Sequence, residues 1–327
     1  MKKALFLLTF FSMLTLSCDK GENGNQQRAT GKINTISVII DDQLWNGSVG
    51  DSIRNKFASP IVGLPREEPL FTINQYPIRL LEGFMANSRN VIVIKKEQSN
   101  KFQIIKNEFA SPQNVFHISG KTAVAILKLI EDNSDTIMQM MKQTEITEIH
   151  RIIDTALIDS RRITKKFKIA LHIPNGYKYV REQDKFVWLK KEITSGNTSI
   201  LIYELPMGSL KNNQNVIDDI ITIRDSIGKL YLHGATPDTE MVTEDSYAPY
   251  LFNTKIKGRK TFETRGTWEM KNDFMSGPFI NYCILDQNRI LVIEGFCYAP
   301  SKKKRDLMFE LESIITPVEF VNDKMKK

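Results

Sequence analysis

Cys18 is the residue whose setting predicts a definite chemistry. Lys2 and Lys3 precede an apolar stretch from Ala4 to Leu16, and Ser17-Cys18 follows it. This is the order of charged, apolar and small residues at which an exported chain is cut and its new terminal cysteine acylated. The expected product carries a diacylglyceryl group and an amide-linked chain such as palmitate on Cys18, the two lipid signals that stable anchoring takes. The apolar stretch is short of the roughly 20 residues of a spanning helix, so residues 1–17 read as a cleaved signal peptide. Thr15 stands where the pattern usually has an aliphatic residue, and a plain secretory signal with an incidental cysteine is the alternative.

A second candidate lies between Thr261 and Lys271. Phe262, Thr264, Gly266, Trp268 and Met270 alternate with Glu263, Arg265, Thr267, Glu269 and Lys271, so one face of a strand packs and the other carries mixed charge. Arg265 and Glu269 beside Trp268 could line a groove for a small polar ligand or a glycan; the plainer reading is a solvent-facing strand whose charges protect an edge. Glu294 falls in the apolar row Ile290, Val292, Phe296, Tyr298, where an isolated charge costs several kcal/mol unless it is paired. With a two-residue turn its cross-strand neighbour is Asn281. The pair reads either as a structural hydrogen bond or as a carboxyl that keeps its proton and acts as an acid. Glu67-Glu68 are neighbours in an extended, proline-bounded segment, where adjacent side chains point apart, so a shaped connector is expected there.

His117, His150, His172 and His233 stand singly, with no partner at metal-binding spacing. No nucleophile elbow, phosphate loop or dinucleotide glycine pattern is present. The sequence therefore nominates no catalytic residue, no metal ligand and no cofactor. Trp45 and Trp188 read as packing residues, Trp45 next to Asn46-Gly47 as the more exposed.

The elements that position these residues fall into two halves. Residues 18–32, rich in Gly, Asn and charge, form an expected flexible tether. Residues 33–160 start with a strand at Ile33 to Ile40 and a short helix from Asp51 to about Phe57. A strand at Leu70 to Asn74 follows, then a hairpin of Val91 to Ile94 with Phe102 to Ile105. A helical tract from Lys121 to about Asp159 carries Ile126, Ile130, Ile137, Met141, Ile149, Ile153 and Leu157 on one face, with a kink or helix break expected at Asn133-Ser134-Asp135. Arg161, Arg162, Lys165 and Lys166 mark the boundary as a solvated basic linker, lipid contact being the less favoured reading. Residues 161–327 hold strands at Phe167 to Ile173 and Ser199 to Leu205, with Tyr177 to Leu189 between them as a hairpin or a bent strand. A helix from Asn215 to about Ile227 turns Val216, Ile220 and Ile223 inward and Asp218, Asp219 and Arg224 outward. Further strands are expected at Tyr250 to Ile256, Lys260 to Lys271, Phe279 to Leu285 and Arg289 to Tyr298, and a last helix at Arg305 to Ile315. The expected class is α+β: two related antiparallel sheets, each backed by helices, after a signal peptide and tether.

Composition excludes little. Loss of Lys2 and Lys3 with the signal lowers the net charge from +7 to +5, mild for a chain of this size and no case for nucleic acid. In an exported protein disulfides are possible. The two-residue-turn register, however, sets Cys283 opposite Val292 and Cys297 on the other face, and a three-residue turn leaves them about 20 Å apart. Free buried thiols are expected.

The segments Arg265 to Phe279 (RGTWEMKNDFMSGPF), Asn288 to Arg305 (NRILVIEGFCYAPSKKKR) and Leu64 to Pro69 (LPREEP) resemble an uncharacterised family of Bacteroidota lipoproteins, catalogued only as a domain of unknown function. The resemblance spans nearly the whole chain after Cys18. It implies an envelope location, with the outer membrane as the expected surface and its periplasmic or outward face left open, and transfers no functional residue. Two functions stay in play. One is a non-enzymatic protein anchored through Cys18 that binds an envelope protein or a small polar ligand, with Arg265, Trp268, Glu269 and Glu294 as the candidate groove. The other is an enzyme that uses carboxylates such as Glu269 and Glu294 on a cell-wall or glycan substrate.

Overall fold

The computed structural model describes residues 26–81, 84–211 and 215–321. The expected signal peptide, Cys18 and the first part of the tether lie outside the described residues. The first half runs β1 (Thr35–Ile40), α1 (Asp42–Trp45), α2 (Ser48–Phe57), β2 (Thr72–Tyr76), β3 (Asn90–Lys96), β4 (Lys101–Lys106), β5 (Asn114–Gly120) and α3 (Ala123–Ile153). Ile36, Val38, Ile92, Ile94, Phe116 and Ile118 project from one face of the sheet, where Val49, Ile53 and Phe57 of α2 and Ile126, Ile130, Ile137 and Met141 of α3 cover them.

This sheet departs from the antiparallel expectation. Its order is β2-β1-β3-β5-β4, with β1 parallel to β2 and β3, β3 parallel to β5, and only β4 antiparallel to its neighbour. The expected hairpin of β3 with β4 does not form, because β5 inserts between them. A strand read as NVFHISG buries residues on both faces, whereas β4 alternates exposed and half-buried residues; the more apolar strand takes the central place and the lysine-flanked one the edge.

The expected break in α3 is also absent, and 31 residues form one helix. Asn133 Nδ2 donates to the Leu129 carbonyl at 2.8 Å and Ser134 Oγ to the Glu131 carbonyl at 3.4 Å, so both polar side chains bond back into the helix that they were expected to interrupt. At about 1.5 Å per residue α3 spans about 46 Å, long enough to leave the first core and insert Ile149 and Ile153 into the second. The tether is likewise shorter than expected. Ala29 is buried and its N–H donates to the Ser111 carbonyl, Thr30 N–H donates to Asn87 O, and Arg28 pairs with Glu148.

The second half runs α4 (Arg161–Phe167), β6 (Ile169–Ala170), β7 (Lys178–Gln183), β8 (Phe186–Ile193), β9 (Gly196–Pro206), α5 (Val216–Tyr231), β10 (Glu240–Thr243), β11 (Tyr250–Ile256), β12 (Arg259–Lys271), β13 (Ser276–Asp286), β14 (Arg289–Tyr298), α6 (Arg305–Ile315) and β15 (Glu319–Phe320). Its main sheet is antiparallel, in the order β10-β12-β13-β14-β9-β8-β7, with β11 beside β10 on the same edge of β12. The basic segment is the helix α4 rather than a linker. Its Ile163 and Phe167 enter the core, while Arg161 and Arg162 pair with Asp159 and Glu182.

Both rows of the β13–β14 hairpin are buried. Ile280, Tyr282, Ile284, Leu291, Ile293 and Cys297 meet α6 and the end of α3; Phe279, Cys283, Val292 and Phe296 join the core that contains Ile220 of α5. The halves share that first core. Asn34 Nδ2 donates to Asp306 Oδ1 at 3.1 Å, and His150 Nε2 donates to the Ser313 carbonyl at 2.7 Å. Among the described residues no helix is long and apolar enough to cross a membrane.

Candidate functional site

Glu294 lies where the row on β14 places it, 1 % exposed. The hairpin turns at Gln287-Asn288 with Asp286 opposite Arg289, and this register sets Asn281 across from Glu294 and Val292 across from Cys283. Asn281 Nδ2 donates to Glu294 Oε2 at 2.8 Å. The sequence reading missed the other partner. Arg224 of α5, expected to point outward, is 4 % exposed and donates from Nε to Glu294 Oε1 at 3.0 Å. Its Nη1 reaches Thr243 Oγ1 at 2.9 Å, Thr243 Oγ1 donates to Asp225 Oδ1 at 2.8 Å, and the guanidinium carbon stands 3.8 Å from the Phe279 ring centre. Ile220, Arg224 and Gly228 are the buried positions of α5 and are spaced by four, so helical periodicity could have placed Arg224 inward had residue type not overruled it.

Arg265 is on the opposite face of the sheet. Its Nε donates to Glu263 Oε1 at 2.6 Å, and its Nη2 lies 3.0 Å from Glu312 Oε2 of α6. Glu312 Oε1 also receives Lys142 Nζ of α3 at 2.5 Å. Burial works against ionised Glu312, but Arg265 and then Lys142 outweigh it and hold the carboxyl below its ordinary value. At Arg265 the charged stripe of β12 is therefore a joint between the halves rather than a solvent-facing edge. Gly63, at φ +80°, lets the preceding loop close on β12, because a Cβ there would stand 2.8 Å from that of Arg265. A cavity of about 80 Å³ remains between Val62, Phe71, Arg265, Met308 and Glu312, room for a few waters. The expected connector at Glu67-Glu68 reaches across to the other half. Glu68 is buried and its carboxylate accepts the backbone N–H groups of Lys304 at 2.7 Å and Arg305 at 3.0 Å, which caps α6.

The four groove candidates thus do not converge. Trp268 and Glu294 occupy one face of the sheet, Arg265 and Glu269 the other. Trp268 instead helps to form a slot at one end of its face, with a cavity of about 190 Å³. Trp188 of β8, Trp268 of β12, and Phe296 and Tyr298 of β14 supply its aromatic walls, and Met241, Met270 and Met275 add thioethers. Trp268 meets Phe296 edge to face, with ring centres 5.6 Å apart. The rim carries Lys190, Asn197 and His233.

Trp268 is 1 % exposed, and its Nε1–H has no acceptor in the protein. It lies beside Gly277, whose missing Cβ would sit 3.1 Å from Nε1 and 2.0 Å from the Cys297 carbonyl, so only glycine fits there. Phe274, wholly exposed, is in the turn next to Met275. The slot was not legible as a unit, because its walls come from four strands and the segment after α5; Trp268 was its only member named as a ligand residue.

The remaining ionisable candidates have separate structural partners. His117 meets Glu108, His172 meets Asp154, His150 meets the Ser313 carbonyl, and His233 Nδ1 donates to the Thr239 carbonyl. No group of three or more His, Cys, Asp or Glu among the described residues is placed to hold a metal ion. Cys283 and Cys297 are free, buried and on opposite faces; burial pushes each thiol up to about 12.

No curated protein matches the chain. A crystal structure of a protein from Bacteroides thetaiotaomicron VPI-5482 is similar at 11% identity and a TM-score of 0.25, over 47% of this chain and 45% of that one. Residues 29–154 match the family model described as a domain of unknown function, DUF8532, and residues 156–317 match that of another domain of unknown function, DUF4837. Over most of its length, then, the chain is similar to two families described only as domains of unknown function.

Proposed function

We propose that the chain is a lipid-anchored, non-enzymatic binding protein of the cell envelope, held at the outer membrane through acylated Cys18, with the slot around Trp268 as its binding site. The observation that carries binding over chemistry is how the buried carboxylates are used. Glu294 is taken up by Arg224 and Asn281, Glu312 by Arg265 and Lys142, and Glu68 by the α6 N-terminus, whereas the slot is concave, mostly apolar and edged by a few polar groups, as small-molecule sites are. Glu269 and Glu294 are on opposite faces of one sheet, so these two carboxylates do not face one substrate. The lipid anchor rests on the order Lys2-Lys3, Ala4 to Leu16, Ser17-Cys18.

Metabolic labelling with a clickable fatty acid tests the anchor: the wild-type chain should be labelled and sediment with membranes, and Cys18→Ala should be unlabelled and released. Label that persists on Cys18→Ala would refute the anchor. A thermal-shift panel of small polar and aromatic compounds tests the binding role, since a ligand of the folded state raises Tm by mass action; a panel in which no compound raises it speaks against that role.

A further inference from the structure

Resting on the slot as a binding site, we propose that its ligand is a one-ring or two-ring aromatic molecule carrying a hydrogen-bond-accepting oxygen. Size sets the first limit. A buried cavity of about 150 Å³ accepts benzene, so the 190 Å³ here suits one ring with a substituent, or an indole-sized pair of rings. Wall chemistry sets the second. Aromatic faces and edges at Trp188, Trp268, Phe296 and Tyr298, with the sulfurs of three methionines, reward a planar π system beyond what area alone gives a saturated ring of the same size.

The polar groups set the third limit. Two groups at the rim can meet a ligand oxygen: the Lys190 ammonium, which also pairs with Glu192 at 2.7 Å, and the Asn197 amide.

The chain has three tryptophans, Trp45, Trp188 and Trp268, so the test can read one resonance for each. The full chain is labelled with ¹⁵N-tryptophan, the indole N–H signals are assigned with Trp45→Phe and Trp188→Phe, and benzoate, cyclohexanecarboxylate and glucose are titrated in turn. Benzoate should move the Trp268 and Trp188 signals saturably and leave Trp45 unmoved, and cyclohexanecarboxylate should bind about tenfold more weakly, the equivalent of one aromatic contact. Ala235→Trp, which fills the mouth from an exposed position, should abolish the shifts with Tm unchanged. If cyclohexanecarboxylate or glucose binds as well as benzoate, the aromatic preference is wrong while the slot stands as a site. If none of the three moves Trp188 or Trp268, or if Ala235→Trp leaves the shifts intact, the slot itself is refuted.

Discussion

Arg224 Nε donates to Glu294 Oε1 at 3.0 Å across the face between α5 and β14, with both side chains almost wholly buried. Removing one partner strands a charge in a core of Phe279, Val292 and Phe296, so Arg224→Met and Glu294→Leu should each cost about 3 to 5 kcal/mol. The double variant should be much less destabilised than the sum. Urea unfolding of the four proteins as a double-mutant cycle measures this, and simple additivity would show that the two side chains do not act as a pair.

Glu312 predicts acid sensitivity of the joint between the halves. Its folded pKa lies below the ordinary 4.5. The unfolded chain therefore takes up the proton first as pH falls; the stabilisation is complete above pH 4.5 and is lost as pH drops through the folded value. Unfolding midpoints between pH 7 and pH 3 should fall more steeply for the wild type than for Glu312→Gln, which has no proton to bind at that position. Parallel curves would contradict the assignment.

The two thiols should be inert in the folded protein. Burial is the main cause of both raised values, and Glu294 adds to it at Cys283, whereas Lys304 opposes it at Cys297. Since the thiolate is the reactive form, alkylation under native conditions should modify neither cysteine, and alkylation in denaturant without reductant should modify both. A disulfide-linked peptide pair in the mass spectrum would contradict the register of β13 and β14.

Glu68 is a helix cap delivered from a remote part of the chain. Glu68→Ala leaves the Lys304 and Arg305 N–H groups without their acceptor and should cost about 1 to 2 kcal/mol. Hydrogen exchange should locate the loss, with faster exchange in the first turn of α6 and little change in β7 or β8. Uniform acceleration would mean that the loss is global rather than local.

Phe296→Ala should cost about 3 to 5 kcal/mol by leaving a cavity in the core, while Glu269→Gln, half-buried on β12, should stay within roughly 0.5 kcal/mol. Thermal or urea unfolding compares them; a larger effect at Glu269 would invert the face assignment of β12.

Strand alternation and helix periodicity carried much of the second half. β14 and α6 have the bounds expected, and the pairing of Asn281 with Glu294 followed from a two-residue turn alone. The first sheet was less legible, because parallel pairing joins segments far apart in the chain and leaves no turn signal to mark it. The outward placement of Arg224 failed for another reason: a charge was assigned to solvent although its spacing from Ile220 assigned it to the core, and only the opposing carboxylate on β14 makes that placement affordable. Glu312 is buried at the same spacing, four residues after the buried Met308.

The stitching of residues 26–30 to Asn87, Ser111 and Glu148 fixes where a leash would begin. Eight residue steps separate Cys18 from Gln26, and at full extension each covers at most about 3.6 Å. With Cys18 in the lipid, as proposed, Gln26 could stand off the bilayer by no more than about 30 Å, less than the length of the chain's longest helix. If the proposed anchor holds, such a molecule would pivot close over the membrane surface, and a ligand of the slot would have to come to it.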